Sequence, residues 1–257
     1  MNILGLFVVV PVLMILFLFL CKDIKSIRAV MVTGATALLA LTAVLVVTFL
    51  RERAANPDAE MLLVQSWTWY APLNITMTLG VDGISVMMIA LSSIIVFTGV
   101  FSSWNMDMAK EFFLWYCLLT IGVFGFFITI DLFSMFMFYE VALIPMYLLI
   151  GLWGTGKKEY SAMKLTLMLM GGSAFLMIGI IGIFFASGAT TFNIVDIANS
   201  VRIPIEHQRW IFPVTFLGFG VLGALFPFHT WSPDGHASAP TSVSMLHAGV
   251  LMKLGGY

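Results

Sequence analysis

Eight separate stretches of this sequence stay apolar long enough to cross a lipid bilayer, and that pattern leaves few folds open. They fall at about 2–21, 29–50, 82–103, 111–130, 132–152, 161–186, 210–227 and 239–257. A helix needs roughly 20 apolar residues to traverse the hydrocarbon layer, and each run comes near that length. The chain is 61% hydrophobic and 10% charged, with mean hydropathy +1.04, more apolar surface than a soluble domain of this size can enclose. The expectation is an all-α polytopic membrane protein of about eight transmembrane helices, because a helix satisfies its own backbone groups in lipid. The eighth run meets Tyr257 with no polar flank, so the sequence reads as cut short there. The first run lacks a basic segment before it and is followed by Lys22, Lys25 and Arg28, which marks a retained helix rather than a cleaved signal. A net charge of −1 gives no reason to expect a nucleic-acid partner. Cys21 and Cys117, in or beside apolar runs, read as inert buried thiols and form neither a disulfide framework nor a zinc site.

Basic residues set an expected orientation. Lys22, Lys25, Arg28, Lys110, Lys157, Lys158 and Lys164 fall on one side of the membrane, and Arg51, Arg53, Arg202 and Arg209 on the other. The richer side is assigned to the cytoplasm, which leaves the N-terminus outside. Two outer loops are long enough to fold. In 67–81, Trp67, Trp69 and Tyr70 suit an interfacial aromatic belt, and Ile75, Met77, Leu79 and Val81 alternate with polar or small residues as in a strand or hairpin. The loop 187–209 is polar, with a short amphipathic helix expected at Ile194–Val201.

Charges inside apolar runs are the candidate functional residues. Glu140 lies midway along Leu132–Leu152. A carboxylate there costs about 2.5–3.5 kcal/mol on insertion scales, so it should face protein or water. The plain reading is a helix-packing hydrogen bond by a protonated acid; the functional one is a proton-exchanging group. Pro145 leaves the Val141 carbonyl without its helical donor. Lys253 lies deep in the last run, and His247, six residues earlier, suits either a water-linked path or a satisfied core site. Lys164, near the start of its run, is explained by snorkelling or by function. Asp82 reads as an N-cap and Asp131 as a cap or tight turn.

Leu217–Ala239 begins as a membrane helix, then gathers Pro227, Pro233, His229, His236 and Asp234 within a few residues. A nucleotide loop is not supported, because no strand precedes it and no Gly-Lys-Ser/Thr follows. A metal site from His229 and His236 is weak, since Pro233 should break the helix between them. Bis-histidine haem ligation by His229, His236 and His247 is a minority reading. A discontinuous helix broken near 227–239 remains the preferred one, since irregular backbone at membrane depth is tolerated only inside protein or beside water.

Phe228–Tyr257, Gly80-Val-Asp-Gly-Ile-Ser85, Phe138–Met146 and Ala162-Met-Lys164 together resemble one family: the antiporter-like chain M subunits of proton-pumping NADH-quinone oxidoreductase (respiratory complex I), counterparts of mitochondrial subunit 4. Sister chains L and N and the Mrp-type cation/proton antiporters share that fold. The resemblance implies about fourteen helices with two inverted five-helix units, each holding half a proton channel. Residues 1–110 would then be N-terminal helices 1–3 with an outer hairpin loop, and 111–257 the first antiporter-like unit, helices 4–8. Glu140 would match the family's intramembrane glutamate and Lys253 the lysine linking the half-channels. Lys164, His247, His229 and His236 would be further proton-transfer or hinge candidates. The resemblance also implies a bacterial inner-membrane location, other membrane-arm subunits as partners with the sister chains among them, and no cofactor in this chain. Two positions depart from the pattern: Leu222 stands where a lysine partner of the glutamate is usual, and Ala224 where proline is usual.

Overall fold

Apolar runs without internal polar breaks become long helices here, and the short polar segments between them become caps and turns. A computed structural model describes residues 3–70, 75–188, 191–200 and 203–257. In order, α1 is Ile3–Leu20, α2 Ile24–Ala55, β1 Leu62–Tyr70, β2 Ile75–Val81, α3 Gly83–Ser102, α4 Ala109–Ile128, α5 Leu132–Trp153 and α6 Lys158–Ser187. A short α7 (Ile194–Ser200) precedes α8 (Ile205–Leu222) and α9 (Trp231–Ser238), the latter entered through a single 3-10 turn at Phe228–Thr230. The chain closes with α10 (Thr241–Leu246), a π turn at His247–Leu251 and α11 (Met252–Leu254).

Among the described residues, α1–α6 are the 6 helices long and apolar enough to cross a membrane. Among the described residues the fold is helical apart from one hairpin and two isolated bridges, Leu79 with Thr129 and Asp131 with Asn193. Helix ends follow local chemistry. Asp82 opens α3 through a capping box, accepting from the Ser85 amide at 2.7 Å while its own amide donates to Ser85 Oγ at 2.9 Å. Asp131 is a cap as well, accepting from the Ser134 amide at 2.9 Å. The alternation at 75–81 is the second arm of an antiparallel hairpin in which Trp67 pairs with Met77 and Thr68 with Thr76. That hairpin is tied to the α4–α5 turn by Ile130 N donating to Thr78 O at 3.0 Å. The expected helix at Ile194–Val201 is α7; its predicted last residue, Val201, and Arg202 lie outside the described residues.

Helix ends sort to two poles. Arg28 donates to the Trp104 carbonyl at 3.1 and 2.7 Å and lies over that indole ring. Lys110 caps the end of α1 through the carbonyls of Phe19 and Cys21 at 3.1 and 3.0 Å. Hairpin, α4–α5 turn and α7 meet at the opposite pole, where Ile194 N donates to Ile130 O at 3.1 Å. Helix α4 forms the centre, packing on α1, α3 and α5 with Phe112, Phe113, Phe124, Phe126 and Phe127 fully buried. Gly125 permits one close approach: a Cβ there would collide with the ring of Phe138 on α5.

The 210–227 run is corrected in two ways. Helix α8 starts earlier, taking in Glu206 and Arg209, and stops at Leu222. It ends in a Schellman arrangement: Ala224 sits in the left-handed region (φ 54°), its amide donates to Val221 O at 3.1 Å, and Leu225 N donates to Gly220 O at 2.8 Å. The interruption therefore spans 223–230, earlier than the expected 227–239, and Pro233 does not cause it. Pro233 lies in the first turn of α9, where a missing N–H leaves no helical bond unmade. The second interruption falls at Ala239–Pro240, just before α10.

Candidate functional site

Depth in the bundle can be read from contacts along α6, the long helix beside the broken segment. Gly182 faces Trp210, Gly179 faces Thr215, Gly172 faces Val221, and then Lys164 meets Asp234 and Ser161 meets Ser238. Helices α8 and α9 thus descend α6 as one antiparallel rod, and its gap lies level with the middle of α6. Tyr139 and Glu140 reach the same level from α5. Tyr139 Oη donates to Leu169 O at 3.1 Å, and Ser173 of α6 is the hydroxyl facing the Glu140 carboxyl. Glu140 Oε1 is buried without a hydrogen-bond partner in the chain. A half-buried acid with one buried, unpartnered oxygen at mid-helix is a costly arrangement that packing alone does not require.

Below the gap, α9 delivers aromatic and polar groups to the last segment. Trp231, fully buried, donates Nε1–H to the Val221 carbonyl at 3.1 Å, which ties α9 to the end of α8. His247 is also fully buried, 5.3 Å from the Trp231 ring and 4.3 Å from the His236 ring. Neither of its nitrogens has a partner in the chain. His236 engages Ser244 Oγ through Nδ1 at 3.2 Å and Met252 Sδ through Nε2 at 3.4 Å. Lys253 is near enough to act electrostatically on both imidazoles, and its Nζ donates to the Ala248 carbonyl at 2.6 Å. The π turn at His247–Leu251 shifts the register between His247 and Lys253, a distortion common at functional sites. Gly255 lets this segment lie against the end of α8, since a Cβ there would meet Gly223 N and Phe219 O.

The expected site residues therefore divide. His236 and His247 lie ring to ring, Lys253 stands exposed beside them with its ammonium on the Ala248 carbonyl, and Glu140 lies at the depth of the gap above. Lys164 reaches Asp234 at 2.6 Å instead of Glu140. His229 stands exposed in the turn, its ring 5.7 Å from that of Phe226. Leu222, the last residue of α8, is 2% exposed and part of the hydrophobic core, so no cation stands at that end of the helix. A neighbouring cleft of about 580 Å³ is lined mainly by apolar side chains, Leu132, Met135, Ile194, Phe216 and Phe219 among them, with Thr215 and Tyr257 as its hydroxyl groups. Among the described residues no three His, Cys, Asp or Glu side chains are grouped to hold a metal ion.

Sequence reasoning did not single out Asp234 or Ser173 as site residues. Asp234 carried one local signal, since it shares a helix face with Ser238 four residues on. Nothing near Ser173 in the sequence announced a facing carboxyl.

A family model described as "NADH:quinone oxidoreductase/Mrp antiporter, TM" matches residues 129–257. Two similar curated proteins are NAD(P)H-quinone oxidoreductase chain 4-2 of Synechocystis sp., 34% identical over 196 residues, and chain 4 3 of Picosynechococcus sp., 36% identical over 205 residues. The matches cover 76% and 79% of this chain but 35% and 37% of those proteins, so the chain spans little more than a third of their length. Among solved structures, a chain of respiratory complex I from Thermus thermophilus with bound NADH superposes with a TM-score of 0.84 at 24% identity, over 98% of this chain and 50% of that one. A chain of the Mrp complex from Dietzia sp. gives 0.79 at 21% identity, over 98% and 46%. At those identities the two likenesses concern the fold.

Proposed function

We propose a function from one premise: the chain belongs to the NADH:quinone oxidoreductase/Mrp antiporter transmembrane family. It acts as a membrane-arm subunit of an NADH-quinone oxidoreductase and translocates protons through a half-channel of intramembrane acid and base groups, coupled to quinone reduction elsewhere in the complex. The observation that carries this reading is the half-buried Glu140, one oxygen of it buried and unpartnered, at the level of the gap in the α8–α9 rod, with His247, His236 and Lys253 beyond it. A carboxyl, two imidazoles and an ammonium group in one part of the bundle form a graded set of proton-exchanging groups, and a change of charge nearby alters which of them holds the proton. Glu140 and Lys253 are the principal carriers, His247 and His236 the relay, and Lys164 and His229 secondary candidates. The chain supplies no redox centre to this scheme.

The α8–α9 rod and the segment from α10 to α11 complete, with α1–α6, eight crossings of a bacterial inner membrane, the N-terminus outside. Residues 111–257 make up the first antiporter-like unit and 1–110 its flanking helices and hairpin. Sister antiporter-like chains and other membrane-arm subunits are the partners. A secondary cation/proton antiporter is the second reading, favoured by the likeness to the Mrp complex. A structural subunit with an impaired channel is the third, favoured by the apolar Leu222.

Inverted membrane vesicles carrying the full-length protein separate them. NADH-driven acidification that is insensitive to sodium supports the oxidoreductase reading. Proton release on a sodium pulse without NADH supports the antiporter. Quinone reduction with no acidification attributable to this subunit supports the structural role.

A further inference from the structure

Helix α9 carries two faces with different tasks. Asp234 and Ser238, four residues apart, point to α6; Ser232 and His236, also four apart, point to α11. On the α6 side the partners are Lys164 and Ser161, three apart on that helix. Lys164 Nζ meets Asp234 Oδ2 at 2.6 Å, Ser238 Oγ donates to Ser161 Oγ at 2.7 Å, and the Thr155 amide donates to the Ser238 carbonyl at 2.8 Å. On the opposite side Ser232 and His236 both reach Met252 Sδ at 3.4 Å, directly before Lys253. Leu165 and the His247 ring close over Gly235 between the two faces.

We propose that Asp234 is a positioning residue for the proton route: paired with Lys164, it fixes α9 against α6 so that its opposite face presents His236 to His247 and Lys253. The assignment rests on the reading of the chain as a proton-translocating subunit. It gives Lys164 a task other than carrying the proton. An eight-residue helix with an interruption at each end has no continuous ladder to hold its rotation, so side-chain latches must set it. The ion-pair side chains are 24% and 43% exposed, which limits their share in stability and leaves geometry as their principal effect.

The test is the number of protons translocated per NADH oxidised by the assembled complex containing the full-length protein, in vesicles with a pH-sensitive dye. Asp234→Asn should lower that ratio about threefold or more while quinone reduction continues, since small misplacements of transfer groups are expensive. Asp234→Glu, which keeps the pair, should restore most of it. An unchanged ratio in assembled Asp234→Asn overturns the proposal. Should that variant fail to assemble, the double variant Lys164→Gln with Asp234→Asn removes both charges and decides. A lowered ratio then supports positioning, and an unchanged ratio or loss of assembly in every variant assigns the pair to folding alone. Glu140→Gln is measured alongside. If it leaves the ratio intact, the translocation reading itself fails; if it lowers the ratio and Asp234→Asn does not, only this inference fails.

Discussion

Replacing Ala224 with glycine and with proline should move the stability of this chain in opposite directions. Ala224 closes α8 in the left-handed conformation, φ 54°, a position usually held by glycine. An L-residue there carries about 1–2 kcal/mol of strain. Glycine relieves it but loses about 0.5–1 kcal/mol to the greater freedom of the unfolded chain. The net expectation is a gain of about 0.5–1 kcal/mol, or a rise in Tm of a few degrees. Proline is held near φ −65°, cannot reach this conformation and removes the amide that donates to Val221 O at 3.1 Å. It also disfavours the helical backbone of Gly223 (φ −78°, ψ 4°) just before it. Ala224→Pro should therefore cost about 3 kcal/mol or more and force the end of α8 to re-form. Thermal unfolding of the full-length protein in a single detergent reads both variants. A proline variant as stable as the wild type, or a glycine variant less stable, would refute the account of this helix end. Because Val221 also accepts from Trp231, the variants report on how α9 is held as well.

Three further outcomes follow from named contacts. Leu222→Lys places an ammonium group in the hydrophobic core near the level of Glu140 and should destabilise by several kcal/mol when Glu140 is changed to Gln, but less with Glu140 present; a double-mutant cycle on Tm with no coupling contradicts this, and proton flux in the assembled single variant should rise if the wild-type channel is impaired. Trp231→Phe removes the donor to the Val221 carbonyl and should cost about 1–2 kcal/mol, checked by unfolding under the same conditions. Burial raises the Asp131 carboxyl above its ordinary value, against the opposing pull of its bonds with Ser134 and Phe133; an acid raised on folding contributes stability that is complete below its unfolded pKa and is lost as pH rises through the folded one, so Asp131→Asn, which keeps a cap acceptor, should flatten that decline and raise Tm at neutral pH, and an unaltered pH slope would contradict it.

Much of the scaffold was legible because its signals are local. A run of apolar residues, the Asp82 N-cap, the cap or turn at Asp131 and the period-two alternation at 75–81 each depend on neighbours within a few positions. The interruption was legible in kind and misplaced in detail. Pro233 drew attention as a helix breaker, yet at the start of a helix its missing donor does not matter, while Ala224 gave no sign in sequence of a left-handed cap. Glu140, His247 and Lys253 stood out as charges or imidazoles in apolar runs. Their partners did not, since Lys164 and Asp234 are 70 residues apart and Ser173 meets Glu140 only through the packing of α5 on α6. The approach of His247 to the rings of Trp231 and His236, and the π turn that begins at His247, are announced by no periodicity.

The most direct test of the proposed function is the proton-to-electron ratio of the assembled complex bearing Glu140→Gln in the full-length protein. That substitution keeps the size and hydrogen-bonding capacity of the side chain and removes its exchangeable charge. Normal assembly, retained NADH oxidation and a lowered ratio are the predicted result. Assembly with an undiminished ratio would contradict the proposed route and remove Glu140 from it.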